Sequence, residues 1–186
     1  MLMKAGGKII NAEEYRESLR QYQPTVFIDG ERVESVADDP RLAPGIRAVG
    51  VTYDFAQRPE YGGLMLAEQS TSGHTVNRML HINRHTEDLL SKLEAVRLLC
   101  RESGCAQRYL THDALNAIYQ STWRMTDADG ALEYHDRFLT YLHAAQKADL
   151  TLGVAMTDAK GDRSLRPHKQ TNPDSYVHIK ERRRDR

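Results

Sequence analysis

The run Thr86–Gly104, T-E-D-L-L-S-K-L-E-A-V-R-L-L-C-R-E-S-G, decides the fold class. Thr86 followed by Glu87 and Asp88 reads as a helix start, because a capping oxygen and acids in the first turn satisfy free N–H groups and oppose the dipole. Leu89, Leu93, Val96 and Cys100 recur at i, i+4, i+7 and i+11, an amphipathic stripe of helical period. Gly104 breaks it. A second helix is expected from about Cys105 to Trp123, with Leu110, Ala114, Ala117 and Ile118 facing inward. The turn Asp127-Ala128-Asp129-Gly130 precedes a third, in which Leu132, Phe138, Leu139 and Leu142 face the core. Residues 86–150 are therefore predicted as three consecutive helices.

Working outward toward the N-terminus, Asn11 with Glu13 and Glu14 caps a helix that reaches about Gln21, with Tyr15 and Leu19 on one face. Pro24 ends it. Val26-Phe27-Ile28, Asp29-Gly30 and Glu31-Arg32-Val33 predict a hairpin near 26–34, since a type I′ turn needs positive φ at both central residues. A further helix begins near Pro44 and carries Ile46, Val49, Tyr53 and Phe55 toward Arg58-Pro59. Residues 60–85 read as loop with short strand or helix. Toward the C-terminus, residues 151–175 are rich in Thr, Gly, Asp and Pro. Ser175–Lys180, S-Y-V-H-I-K, alternates like a strand. A strand without neighbours leaves its backbone groups unsatisfied, so the chain is expected to be the front of something larger. The expected division is a helical domain over 1–150 and an incomplete β-domain over 151–186.

The chain has 186 residues, with 28% charged and 40% hydrophobic, enough for a core and against wholesale disorder. Lys plus Arg and Asp plus Glu both number 26, so the global basic excess of a dedicated nucleic-acid binder is missing. The balance is uneven: residues 160–186 carry nine basic and four acidic residues. Arg182-Arg183-Arg184 reads as a solvated hairpin end exposed by truncation. No stretch of ~18 apolar residues predicts a membrane span, and no signal-peptide core stands at the N-terminus. Two cysteines, Cys100 and Cys105, build no disulfide framework, so the expectation is a reduced, cytoplasmic protein.

Chemistry concentrates in Ala155–Arg163, A-M-T-D-A-K-G-D-R. It offers a hydroxyl and a carboxylate (Thr157, Asp158), a glycine that permits close backbone approach (Gly161) and two cations (Lys160, Arg163). Such a loop could hold the polar edge of a heterocycle and its phosphates. His74, His81 and His85 have spacings that fit one helix face, but no acid or cysteine set completes a metal site, so they are expected to be exposed. His112 and Asp113 are adjacent and point ~100° apart on a helix, which argues against a base and its orienter.

The order of A-M-T-D-A-K-G-D-R, R-P-H-K-Q, N-P-D-S-Y-V and E-R-R resembles the flavoprotein family of 4-hydroxyphenylacetate 3-monooxygenases and 4-hydroxybutyryl-CoA dehydratases. A-E-E-Y-R-E-S-L-R, I-D-G-E-R-V-E-S, D-F-A-Q-R-P-E-Y and T-H-D-A-L-N-A-I-Y resemble the opening of the same family, in order. The resemblance implies a mainly α protein: the N-terminal helical domain of an acyl-CoA-dehydrogenase-like fold, with a short hairpin and the first strand of a truncated β-domain. It implies FAD as cofactor, with Met156, Thr157, Asp158, Lys160, Gly161, Asp162 and Arg163 at flavin-binding positions and Ala159 where the family has proline. It implies an aromatic or acyl-CoA substrate and a homo-oligomer, or a chain that lacks its C-terminal part. The dehydratase branch holds an iron–sulfur cluster on two cysteines four apart. Cys105 matches the first and Tyr109 stands at the second, so no cluster is expected. The monooxygenase branch has an Arg, a Tyr and a His where Leu110, Ala114 and Val154 stand here, so no catalytic residue is assigned. The expected function is the N-terminal part of an FAD-dependent oxidoreductase or dehydratase-like enzyme. The alternative is a non-enzymatic truncated or split-gene product that works only with a separately encoded remainder. In either case the chain by itself is expected to bind FAD weakly and to be inactive.

Overall fold

A computed structural model describes residues 7–105, 107–130, 132–154, 162 and 164–171. The chain divides into two compact units, 1–153 and 154–186.

In the first unit, α1 (Ala12–Tyr22) opens with a capping box: Asn11 Oδ1 accepts the Glu14 amide, and the Glu14 carboxylate accepts the Asn11 amide. Strands β1 (Phe27–Ile28) and β2 (Glu31–Arg32) pair antiparallel. Asp29 and Gly30 both have positive φ, 52° and 83°, as the Asp-Gly turn requires. Helix α2 (Ala43–Gln57) has Pro44 in its first turn, where a missing N–H costs nothing. It crosses α1 closely: a Cβ on Gly50 would lie 3.0 Å from the Ala12 Cβ.

Residues 59–80 hold more structure than the sequence displayed. Helix α3 (Pro59–Met65) leads into β3 (Leu66–Gln69), which pairs antiparallel with β4 (His74–Asn77), followed by a 3-10 turn at Arg78–Leu80. Then come α4 (Thr86–Ser103), α5 (Tyr109–Asp129) and α6 (Leu132–Lys147). The three predicted helices are present, and no strand lies between 86 and 150 among the described residues. Helix α5 starts four residues later than predicted, because Arg108 is left-handed (φ 68°) and cannot belong to it. It runs six residues past Trp123, to a left-handed Gly130 cap.

Two apolar clusters fill the unit. Phe55, Ala56, Met65, Met79, Ala95 and Leu99 join α2, α3 and α4; Leu80, Ile82, Leu115, Phe138 and Leu142 join the 3-10 turn to α5 and α6. The inward faces predicted for α4 and α5 are corrected here. Leu89 and Leu93 are 48% and 55% exposed, and Cys100 is exposed. On α5, Leu110 and Ile118 are also exposed, and Thr111, His112 and Leu115 are buried instead. In α6 the expected Phe138 and Leu142 are indeed buried, with Leu139 packed beside them, while Leu132 is exposed.

In the second unit, Pro167–Lys169 forms a 3-10 turn. The strand expected at Ser175–Lys180 and the tail Arg182–Arg184 lie outside the described residues.

Candidate functional site

Of the seven loop residues singled out, Met156, Thr157, Asp158, Lys160, Gly161 and Arg163 lie outside the described residues. Asp162 is described, and it organises a turn. Its Oδ1 accepts the Ser164 amide at 2.9 Å and the Ser164 hydroxyl at 2.7 Å, which holds the carboxyl below its ordinary value. Its amide donates to Gln170 Oε1 at 2.8 Å, and Gln170 Nε2 returns a bond to the Asp162 carbonyl at 2.6 Å.

Four residues before that loop, the first unit builds a buried latch that the sequence did not announce. Arg108 and Asp149 form an ion pair at 2.9 Å, with side chains 1% and 0% exposed. Arg108 Nη2 also donates to the Leu150 carbonyl at 3.0 Å, and Nη1 to Thr52 Oγ1 at 3.4 Å. The guanidinium lies 4.4 Å from the Tyr53 ring centroid, a cation–π contact made stronger by burial. Tyr53 stacks on Tyr15 with centroids 5.0 Å apart, and its hydroxyl donates to the Asp149 carbonyl at 2.9 Å beside Thr151 Oγ1 at 2.7 Å. Burial pushes the Tyr53 hydroxyl up to about 12, so it remains a donor at any ordinary pH. Burial also pushes the Asp149 carboxyl up, and the guanidinium beside it pulls it back down. The left-handed backbone at Arg108 turns its side chain back under α2. The latch therefore fastens the Cys105–Tyr109 connection and the exit of α6 to one aromatic pair. Cys105 itself is exposed, with its Sγ accepting from Gln107 Nε2 at 2.9 Å, and Tyr109 is largely exposed.

The histidines divide. His74 and His85 are exposed as expected, but His81 is buried, and so is His112. His81 lies in the run Met79-Leu80-His81-Ile82, all buried, and that apolar flanking was the missed signal. Asn116 ties the pair together: its Nδ2 donates to the carbonyls of His81 (3.1 Å) and His112 (2.9 Å), and its Oδ1 accepts the Asn83 amide at 2.8 Å. Asn83 Nδ2 donates to His112 Nε2 at 3.2 Å, which marks that nitrogen as the unprotonated one. Burial pushes both imidazoles down to about 4. Asp113 does not orient His112; it pairs with Lys92 at 2.6 Å and ties α5 to α4. Among the described residues no group of three or more His, Cys, Asp or Glu could hold a metal ion, and no helix is long and apolar enough to cross a membrane.

This helical arrangement is that of the N-terminal regions of acyl-CoA-dehydrogenase-like flavoproteins. Residues 11–185 match the family described as 4-hydroxyphenylacetate 3-hydroxylase N terminal, and the chain belongs to it. The chain is 39% identical over 178 residues to a 4-hydroxybutyryl-CoA dehydratase/vinylacetyl-CoA-Δ-isomerase of Clostridium aminobutyricum, covering 95% of this chain and 36% of that protein. It is 28% identical to the oxygenase component of a Geobacillus 4-hydroxyphenylacetate 3-monooxygenase, covering 93% of this chain and 35% of the relative. Among solved structures, an oxygen-tolerant archaeal 4-hydroxybutyryl-CoA dehydratase from N. maritimus superposes with a TM-score of 0.83 at 39% identity, over 94% of this chain and 35% of that one. The oxygenase component HpaB, solved in complex with FAD and 4-hydroxyphenylacetate, superposes at 0.68 with 24% identity over 88% of this chain and 33% of its own, a likeness of fold. The chain thus spans about a third of the length of the relatives it matches.

Proposed function

We propose that this chain is the N-terminal part of a flavin-dependent enzyme of the dehydratase-like branch, in which residues 1–150 form the helical domain and 151–186 the flavin-contacting loop and opening strand of a β-domain. The observation that carries the reading is the latch: the connection after α4 and the segment entering Ala155–Arg163 are fastened to each other by buried groups. The donor set of that loop suits FAD. Thr157 and Asp158 offer a hydroxyl and a carboxylate to a heterocycle's polar edge, Gly161 allows close backbone approach, and Lys160 and Arg163 suit the pyrophosphate. Met156 supplies an apolar contact, and Asp162 shapes the turn. FAD, when bound, supplies the redox chemistry; these residues bind and orient it. The greater likeness to dehydratases favours an acyl-CoA over an aromatic substrate. Tyr109 in place of a thiolate leaves a cluster short of a ligand.

A flavin pocket buries about 70–90% of its ligand, which one loop cannot do. The exposed leucines of α4 and α5 are the faces that further protein would cover, whether a continuation of this polypeptide or a separate chain. The isolated chain is therefore expected to bind FAD weakly and to show no activity. Titration with FAD, followed by flavin fluorescence, tests this. Saturable binding at about micromolar or tighter, abolished by Arg163→Ala and Thr157→Ala, would show a self-sufficient flavin module instead.

A further inference from the structure

A cleft of about 320 Å³ opens between the β3–β4 hairpin and the last turns of α6, lined by Gly7, Ser72, His74, Val76, His143, Gln146 and Lys147. Among the described residues its wall contains two imidazoles, an ammonium and a hydroxyl, and no carboxylate. Glu68 belongs to the other face of the hairpin, because His74 and Val76 stand opposite Gln69 and Ala67 while Glu68 stands opposite Thr75.

One of the imidazoles is oriented from the core outward. Gln69 Oε1 accepts the Ile82 amide at 3.0 Å, and a backbone amide can only donate, so Gln69 Nε2 is the donor end. Gln146, also buried, donates to the same Oε1 at 2.9 Å and to the Leu80 carbonyl at 2.8 Å. Gln69 Nε2 donates to Thr71 Oγ1 at 3.1 Å. Thr71 Oγ1 in turn lies 3.0 Å from His143 Nε2. The contact uses Nε2 and leaves Nδ1 free, and donation by the Thr71 hydroxyl would make His143 the Nδ1–H tautomer. His143 and Lys147 are four apart on α6 and share a face. Lys147 makes no ion pair among the described residues, and the side chain of His74 has no hydrogen-bond partner there.

We propose that this cleft is a binding site for a small anion, a phosphate or carboxylate, held by His143 Nδ1–H, the Lys147 ammonium and the Ser72 hydroxyl, with His74 at its edge. The Gln146–Gln69–Thr71 chain holds the His143 ring in place, so no rotamer search is needed on binding. The site stands apart from the Arg108 latch and does not depend on the flavin reading.

The test uses the full chain. Long-range ¹H–¹⁵N spectra should show His143 as the Nδ1–H tautomer in the free protein. Titration with sodium phosphate should then shift the His143 nitrogens with saturation below about 10 mM, and Lys147→Gln should weaken that binding about fivefold or more. His143→Gln should abolish it, with the Leu142 and Phe138 methyl and ring signals unchanged as proof of folding. Coenzyme A and acetate, run as parallel titrants, distinguish the source: tighter binding of coenzyme A than of phosphate assigns a phosphoryl group on a larger molecule, and acetate alone assigns a carboxylate. Shifts that fail to saturate, or binding equal in wild type and in both variants, would overturn the proposal, and so would an Nε2–H tautomer at His143.

Discussion

In α6, Phe138 and Leu142 are four residues apart and are 7% and 0% exposed; in α4, Leu89 and Leu93 are also four apart and are 48% and 55% exposed. Both pairs have the same spacing and comparable hydrophobicity. Periodicity marks an apolar face and leaves its direction open. Direction is set by what packs nearby. Helix α6 lies against α5 and the 3-10 turn, where Leu80, Ile82 and Leu115 complete a pocket for Phe138 and Leu142. Helix α4 lies against α2 and α3 with Ala95 and Leu99, and the small alanine lets the helices approach. Its leucine-rich side is left over. The same division appears within α5, whose buried side holds Thr111, His112 and Leu115 and whose outer side holds Leu110 and Ile118. Buried polar groups require partners: Thr111 Oγ1 donates to the Arg108 carbonyl and His112 Nε2 accepts from Asn83, so a half-polar face can be the inner one.

The largest effect expected in the inner regions concerns the latch. Arg108→Met leaves Asp149 buried beside no cation, and removing one partner of such a pair costs about 3–5 kcal/mol. Urea unfolding should show a loss of that size, and the double variant Arg108→Met/Asp149→Leu should recover much of it. A loss below about 1 kcal/mol would mean that the pair is solvated and that the latch does not hold the α6 exit.

Leu142→Ala comes next. It removes a fully buried side chain from a closed cluster and should cost about 2–5 kcal/mol in the same assay. Equal tolerance at Leu142 and Leu93 would erase the contrast between α6 and α4.

The latch and the buried histidines also show what the sequence could not convey. The hairpin at Asp29-Gly30 was legible because its requirement, positive φ at two residues, is local. The helices were legible from their period and from Gly104 and Gly130. The β3–β4 hairpin was not, because H-T-V-N alternates over too few residues and its turn at Ser70–Gly73 resembles any polar loop. Arg108 reads in sequence like any surface arginine, since its partners Asp149 and Thr52 are 41 and 56 residues away and only packing brings them together. The run Ala155–Arg163 stood out by its chemistry and by resemblance, but of the residues singled out in it only Asp162 is among those described.

Acid should reveal the polar inner face of α5. His81 faces Asp88 and Arg78, and His112 faces Lys92 and Asp113; burial outweighs these charges and depresses both imidazoles from 6.5 to about 4. The unfolded chain therefore binds protons first as pH falls. Stability is fully present above about 6.5 and is lost progressively as pH falls from there toward 4, by at most about 3 kcal/mol per histidine. Urea midpoints measured across that range should fall, and His112→Gln should flatten the slope. An unchanged slope in that variant would place His112 in water.

The smallest effect on stability is expected on the outer face, and it is the most informative about that face. Leu93 is more than half exposed, and glutamate is nearly as good a helix former as leucine, so Leu93→Glu should change unfolding free energy by no more than about 0.5 kcal/mol. A loss above about 2 kcal/mol would instead place Leu93 in a core and make α4 resemble α6. The variant should act on association. Leu89, Leu90 and Leu93 form a contiguous apolar strip, and a strip left uncovered in water favours contact between copies. Sedimentation velocity over a range of protein concentrations should show self-association of the wild-type chain and its reduction in Leu93→Glu. A carboxylate placed in the strip is hydrated and resists burial against a second copy, whether or not Arg97 one turn on pairs with it. If the wild-type chain stays monomeric at every concentration, the strip is too small to bind on its own. The covering protein would then have to bring further contacts beyond α4.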